Sequence, residues 1–302
     1  MKCRVCKGKA AIKIRRHNAA FCPEHFTEHA IRQVEKAIKD FDMIKPGDRL
    51  LLGVSGGKDS LALWDILTKL GYGVDGVYLE LGIGGVDDHA YSDVSRRYCE
   101  TFASNRGLKL EIVDLSTRYG FTIPEAATQT KRVPCSVCGL SKRYILNQAA
   151  LDGNYDALVM GHNLDDEAAT LMGNVLQWNT EYIGRQHPVL SASKDGLIRK
   201  VKPLIRLAER ETAAYCVLNG IDYEVEECPM VEGNTGIKMK EWLNELEDRA
   251  PGAKHRFLFG YLERVSDRFA TEQPELTICQ SCGQPTTGAT CAFCRLEIRM
   301  KS

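Results

Sequence analysis

The 302-residue chain has no run approaching roughly 18 uncharged apolar residues, so no membrane-spanning helix is expected. It has no excess charge of either sign. Its 40 Lys and Arg balance 40 Asp and Glu, which argues against a uniformly basic nucleic-acid coat. It has no internal repeat and no low-complexity tract. The opening Met1-Lys2-Cys3-Arg4-Val5-Cys6 lacks the charged, apolar, small-residue order of a secretory signal, so a cytoplasmic, reducing setting is expected. What the chain does have is cysteine. There are 12, and most sit in close pairs, which in a reducing setting favours metal ligation over disulfides.

Three blocks differ in pattern: a basic, cysteine-containing segment (1–27), a long alternation of strands and helices (28–270), and a second small cysteine-rich segment (271–302) beginning at the polar Thr271-Glu272-Gln273-Pro274. In the middle block, spacing predicts helices over 28–42, 59–70, 89–106, 136–152, 163–178 and about 206–219. Apolar runs predict strands over 49–54, 74–79, 108–113 and 157–160. The expected fold class is α/β, a mostly parallel sheet covered by helices on both faces. Ligands in that architecture lie beyond the carboxyl ends of the strands.

Gly53-Val54-Ser55-Gly56-Gly57-Lys58-Asp59-Ser60 leaves a predicted strand and enters a predicted helix. Adjacent glycines expose backbone N–H groups, two serines add hydroxyls, and the helix N-terminus adds its dipole, so the segment suits an anion. Its spacing fits neither the dinucleotide fingerprint nor a Walker A loop. A second turn, Gly161-His162-Asn163-Leu164-Asp165-Asp166-Glu167, places acids at another helix start, where they could hold a metal or simply cap the helix.

Cys3-x2-Cys6-x15-Cys22-x2-His25 and Cys279-x2-Cys282-x8-Cys291-x2-Cys294 each offer four ligands in two close pairs, as structural zinc requires. His29 competes with His25 as the fourth ligand of the first set. Cys135 and Cys138, at a predicted helix start, could meet the distant Cys228. Spacing leaves open an iron–sulfur cluster, zinc or a redox pair. Cys99 and Cys216 sit inside predicted helices and read as core thiols.

Ser55-Gly56-Gly57-Lys58-Asp59-Ser60 resembles the pyrophosphate loop of the PP-loop ATP pyrophosphatases. Together with Cys135, Cys138 and Cys228 it is similar to the TtuA family of tRNA 2-thiouridine synthetases, which act on the ribothymidine of the T loop. The resemblance spans the chain, including a zinc finger at each end. It implies ATP on Gly53–Ser60, with Lys58 and Ser60 on phosphate and Asp59 organising Mg²⁺. It places the nucleoside near Leu79, with Gly161 and His162 close by. It implies a [4Fe–4S] cluster on Cys135, Cys138 and Cys228. Lys142 matches the family's active-site lysine, and Asp166 the matching acid, with Asp165 as the alternative. A ubiquitin-like thiocarboxylate carrier would supply sulfur, and the family usually forms homodimers.

The same features fit a wobble-uridine thiolase, or a PP-loop ligase or amidotransferase. They fit a zinc-stapled RNA-binding module less well, since that leaves Ser55–Ser60 unexplained. Two basic stretches would contact tRNA: residues 1–16, with seven Lys or Arg and no acid, and the segment holding Arg185, Lys194, Arg199, Lys200, Lys202 and Arg206. Lys131 and Arg132, just before Cys135, could bring phosphate near the reaction centre.

Overall fold

Leu50, Leu51 and Leu52 are each no more than 1% exposed, as a strand covered on both faces requires. They lie in the middle of a six-stranded sheet in a computed structural model that describes residues 1–84, 91–193, 195–231, 235–269 and 276–301. The start of the expected 89–106 helix, the polar stretch 271–274 and Lys194 fall outside the described residues.

A hairpin of β1 (Ile12–Ile14) and β2 (Ala19–Phe21) leads into α1 (Pro23–Asp40). Then come β3 (Leu50–Val54), α2 (Lys58–Lys69), β4 (Val74–Glu80), α3 (Tyr91–Arg106) and β5 (Leu110–Asp114). The short α4 (Leu115–Tyr119) and α5 (Ile123–Thr130) precede the long α6 (Pro134–Asp152). Next are β6 (Ala157–Val159), α7 (Leu164–Leu176), α8 (Thr180–Gly184), β7 (Val189–Leu190) and β8 (Arg199–Val201). Helices α9 (Glu209–Leu218), α10 (Thr235–Arg249) and α11 (Ala253–Arg264) follow, then β9 (Thr277–Ile278), β10 (Pro285–Thr286) and α12 (Ala292–Met300).

The strand order is β5-β4-β3-β6-β8-β7, parallel throughout except that β7 runs against β8. The α/β expectation holds. The chain leaves β3 towards β4 and β5 on one side, and β6 and β8 lie on the other. The reversal between β3 and β6 opens a crevice at their carboxyl ends, the usual ligand position in such sheets.

Successive residues of β3 feed opposite cores, because strand side chains alternate. Leu50 and Leu52 pack with α1, α2, α3, α9 and the N-terminal hairpin, whereas Leu51 packs with α5, α6 and the C-terminal ribbon. Each terminal module therefore covers a different face of one sheet. At Gly76 a Cβ would lie 2.4 Å from the Trp64 ring, so glycine lets that fully buried indole lie against β4 and donate to the Val74 carbonyl at 3.1 Å.

Helix α1 begins at Pro23, earlier than its apolar spacing predicts, because a proline at N1 starts the helix directly from Cys22. The N-terminal module is fastened by Arg16, whose guanidinium meets Glu211 at 2.6 Å with both side chains at most 6% exposed. The C-terminal ribbon is fastened to α6: Phe293 stacks on Tyr144 with ring centroids 4.0 Å apart, and buried Gln284 hydrogen-bonds to Asn147, Gln148 and the Tyr144 carbonyl. Among the described residues, no helix is long and apolar enough to cross a membrane.

Candidate active site

The loop after β3 is built around backbone amides. Gly56 has φ +75°, and a Cβ there would lie 2.4 Å from the Ser95 carbonyl oxygen, so both conformation and space call for glycine. The Ser60 hydroxyl accepts from the Ser55 N–H at 3.1 Å and donates to the Gly57 carbonyl at 3.0 Å, curling the loop over the N-terminus of α2. That end of a helix favours an anion. The Glu224 N–H donates to the Gly56 carbonyl at 2.9 Å, tying the loop to the segment that leads to Cys228.

Across the crevice, Gly161 lies so close to α2 that a Cβ would approach the Ser60 nitrogen at 3.3 Å. Asn163 caps α7 by accepting from the Asp165 and Asp166 N–H groups, and its side-chain amide donates to Asp59 at 3.1 Å. The two neighbouring acids then part. Asp165 is buried, paired with Lys254, and accepts from the Glu209 N–H at 2.9 Å. Asp166 is half-buried and meets Lys240 at 2.6 Å. Capping and a place in the crevice thus coexist at Asp166, while Asp165 is a structural ion pair.

Lys58, Asp59, Glu209, Lys240 and Asp166 form one chain of alternating charge. Lys58 meets Glu209 at 2.8 Å and Asp59 at 3.3 Å, and Lys240 bridges Glu209 at 3.2 Å to Asp166. Burial alone would lower the Lys58 ammonium, but Asp59 and Glu209 outweigh it and hold Lys58 above the usual lysine range. Burial pushes Asp59 up. Lys58, Thr212 and Asn163 pull the other way without cancelling it, and the nearby Asp166 charge adds to the rise. Burial would also raise Glu209, yet the Lys58 hydrogen bond and the Lys240 charge keep it below the usual range. Glu209, Thr212 and Lys240 were not expected from sequence. The first two look like an ordinary helix start, and Lys240 is one of seven charged residues in a helix of fifteen.

A cavity of about 320 Å³ opens beside the loop. Its lining includes Gly53, Val54, Ser55, Asp59 and Ser60 from the loop, Leu79 from β4, and Gly161 with His162. The same cavity is lined by Lys142, Cys138 and Cys228, and by Tyr91, Ser92 and Ser95, which sequence reasoning missed. Cys135 lies alongside, its Sγ 3.8 Å from the Met230 carbonyl. Burial raises the Cys135 thiol, and the neighbouring Cys138 and Cys228 raise it further. Helix α6 brings this about: Pro134 at its N1 position starts the helix, so Cys135, Cys138 and Lys142 lie along its first turns.

Each terminal set draws its ligand atoms within 4.8 Å of one another. The Cys6–Cys22 and Cys282–Cys291 sulfur pairs are 3.8 Å apart, and Cys22 Sγ lies 3.0 Å from His25 Nδ1. A Zn–S bond of about 2.3 Å gives a tetrahedral edge of about 3.8 Å, so these sites match a single four-coordinate ion. His29 is not a ligand here; it stacks on Phe21 at 4.9 Å, and burial with nearby charge lowers its ring to about 4. The Cys135, Cys138 and Cys228 set does not close to that distance. Three cysteines, two of them lining an open cavity, suit a larger group that spreads its ligands over several irons, so the residues fit a cube-type cluster better than one ion.

Two of the three blocks match family descriptions. Residues 2–27 match the 2-thiouridine synthetase TtuA N-terminal LIM domain, and residues 26–230 match the PP-loop domain. Over 297 residues the chain is 48% identical to the tRNA-5-methyluridine(54) 2-sulfurtransferase of Thermus thermophilus, covering 98% of this chain and 91% of that one. The chain belongs to the TtuA family. The Pyrococcus horikoshii protein of the same name is 42% identical over 98% of this chain and 93% of its own. A solved structure, the U34-tRNA thiolase NcsA from Methanococcus maripaludis with its [4Fe–4S] cluster, is similar with a TM-score of 0.81 at 25% identity. That similarity covers 98% of this chain and 95% of that one.

The charged surface of this TtuA-family chain differs from the sequence expectation. In the second basic stretch, Arg199 pairs with Asp48, Lys202 with Glu167 and Arg206 with Asp40, while Lys200 is lowered by burial beside Arg143 and Lys202. These cations hold the fold together and do not form a free basic face. Arg15 and Arg16 likewise pair with Asp248 and Glu211. Lys2, Arg4, Lys7, Lys9 and Lys13 remain exposed on the first module, as do Lys131 and Arg132 before α6.

Proposed function

We propose that the chain is an ATP-dependent tRNA 2-sulfurtransferase acting on the T-loop ribothymidine, its identity to enzymes of that name favouring this target over the wobble uridine. One observation carries the reading: the phosphate loop, Lys142 and two of the three central cysteines line a single cavity. ATP lies along Gly53–Ser60 with its phosphates on the loop amides, the Ser60 hydroxyl and Lys58, which exchanges Glu209 for phosphate. Asp59 and Asp166, facing each other across the crevice, are the residues that would hold Mg²⁺, which offsets phosphate charge. The uracil C2 oxygen attacks the α-phosphate and pyrophosphate leaves. Sulfur then attacks C2 and AMP leaves. Lys142, lining the same cavity as the loop and two of the cysteines, is the residue that would steady the adenylate or move a proton.

Cys135, Cys138 and Cys228 would hold a [4Fe–4S] cluster, whose iron without a protein ligand supplies a place for sulfur. Two Zn²⁺ in the terminal sets are structural, since four protein ligands leave no open position. A ubiquitin-like thiocarboxylate protein is the proposed donor, a homodimer the proposed assembly, and the exposed cations of residues 2–13 a contact for tRNA phosphates.

The test is an anaerobic assay with tRNA, ATP, Mg²⁺ and sulfide, followed by nucleoside mapping. The expected product is a 2-thiolated base in the T loop. A protein that consumes no ATP with tRNA present and leaves every uridine unmodified would overturn the reading.

A further inference from the structure

A second cleft, of about 480 Å³, lies between α7 and α10 and shares the lining residue His162 with the active cavity. Its size lies within the range of about 300–1,000 Å³ typical of small-ligand sites. Its walls carry the Asn174 and Gln177 carboxamides and the Thr170 hydroxyl, with Leu176 and Met239 supplying apolar surface. The chain turns just past α7 at Trp178, which has φ +51° and is 73% exposed. A bulky residue rarely takes that backbone conformation, and here it holds an indole in solvent directly after a lining residue. Tyr182, on the next helix, is 59% exposed.

We infer that this cleft holds an unpaired nucleotide of the RNA next to the one being modified, with Trp178 stacking on a base and Asn174 and Gln177 hydrogen-bonding its edge. The inference rests on the tRNA reading above. A carboxamide offers a donor and an acceptor together, as base edges require, and single-stranded RNA is recognised by such groups beside aromatic faces. The shared His162 puts the cleft beside the nucleotide cavity, a place for the neighbour of the nucleotide being modified. A base delivered there must leave its stack, and a second grip on its neighbour holds the loop open.

Trp178 is one of three tryptophans; Trp64 is fully buried, and Trp242→Phe removes the other exposed ring. In that full-length background, adding unmodified tRNA should quench Trp178 emission. Trp178→Ala should weaken tRNA binding about tenfold, with the KM for ATP unchanged, and Trp178→Phe should recover most of the loss. Gln177→Ala, at an exposed site, should weaken binding severalfold. Wild-type affinity in both alanine variants overturns the inference. Normal tRNA binding with turnover lost only when sulfur arrives on a carrier protein also overturns it, since the cleft would then take a polypeptide. A changed solution mass in Trp178→Ala overturns it too, by making the ring a subunit contact. If the unsubstituted chain binds no tRNA, the function itself fails; if it binds and the variants do not differ, the cleft alone fails.

Discussion

The C-terminal ribbon and the site around Lys142 use the same residue type in opposite ways. In the ribbon, Cys279, Cys282, Cys291 and Cys294 converge within 4.8 Å, three of the four buried. Around Lys142, three half-buried cysteines stand further apart, and two of them face a cavity shared with the phosphate loop. A closed ligand set suits a metal that shapes the protein, and an open one suits a metal that can meet a substrate. Both rest on helix α6, which carries Cys135 and Cys138 near its start and receives Phe293 on Tyr144 further along.

Substitution should separate the two roles. The largest effect is expected from Cys228→Ala: tRNA thiolation falls to background and iron is lost, while metal analysis still finds about two zinc per chain. Loss of zinc together with iron would erase the contrast. Cys291→Ala should act indirectly. Removing a ribbon ligand releases the module and lets α6 shift, costing up to about 10²-fold in turnover, since small misplacements at a reacting centre are expensive. Iron should stay bound, and the near-ultraviolet signal of the stacked Tyr144 ring should fall. Full activity with an unchanged spectrum would show that the ribbon does not position α6.

The smallest effect concerns the charge chain that replaces cysteine on the other side of the crevice. Glu209 is held below its ordinary value by Lys58 and Lys240, despite burial acting against it. A carboxyl lowered on folding adds stability that is present above its unfolded value and is lost as pH falls through the folded one. Glu209→Gln should therefore lower Tm at pH 7 by about 2 °C, and the gap should close below about pH 4.5. A gap that persists in acid would mean that shape, and not charge, makes the contribution.

Apart from the distant groups that the family resemblance brought together, such as Cys228 with Cys135 and Cys138, what could be read from sequence was what lies close in sequence. Ser55–Ser60 and both terminal sets complete themselves within a few dozen residues, and the apolar runs of β3 and β6 announce buried parallel strands. The ion-pair partners were illegible because they are distant. Nothing near Arg206 indicates Asp40, and nothing near Lys240 indicates Asp166, so the basic stretch at 185–206 looked free when most of it is internally paired. The choice between Asp165 and Asp166 also needed the fold, because Lys254, which claims Asp165, comes from α11. Helix α10 was not among the expected helices, and with Leu243 its one buried residue among those described it offers little for a periodic pattern to reveal.

The clasp of Phe293 and Gln284 on α6 has a consequence for synthesis. The ribosome makes α6 well before it makes the ribbon, so during that interval the face beneath Tyr144 and Asn147 is bare. A nascent chain stalled there would present an uncovered aromatic ring to whatever first meets it, while Asn147 keeps its bonds to the Gly196 carbonyl and the Ile198 N–H. The helix that carries Cys135 and Cys138 is thus finished late, by the last part of the chain to be made.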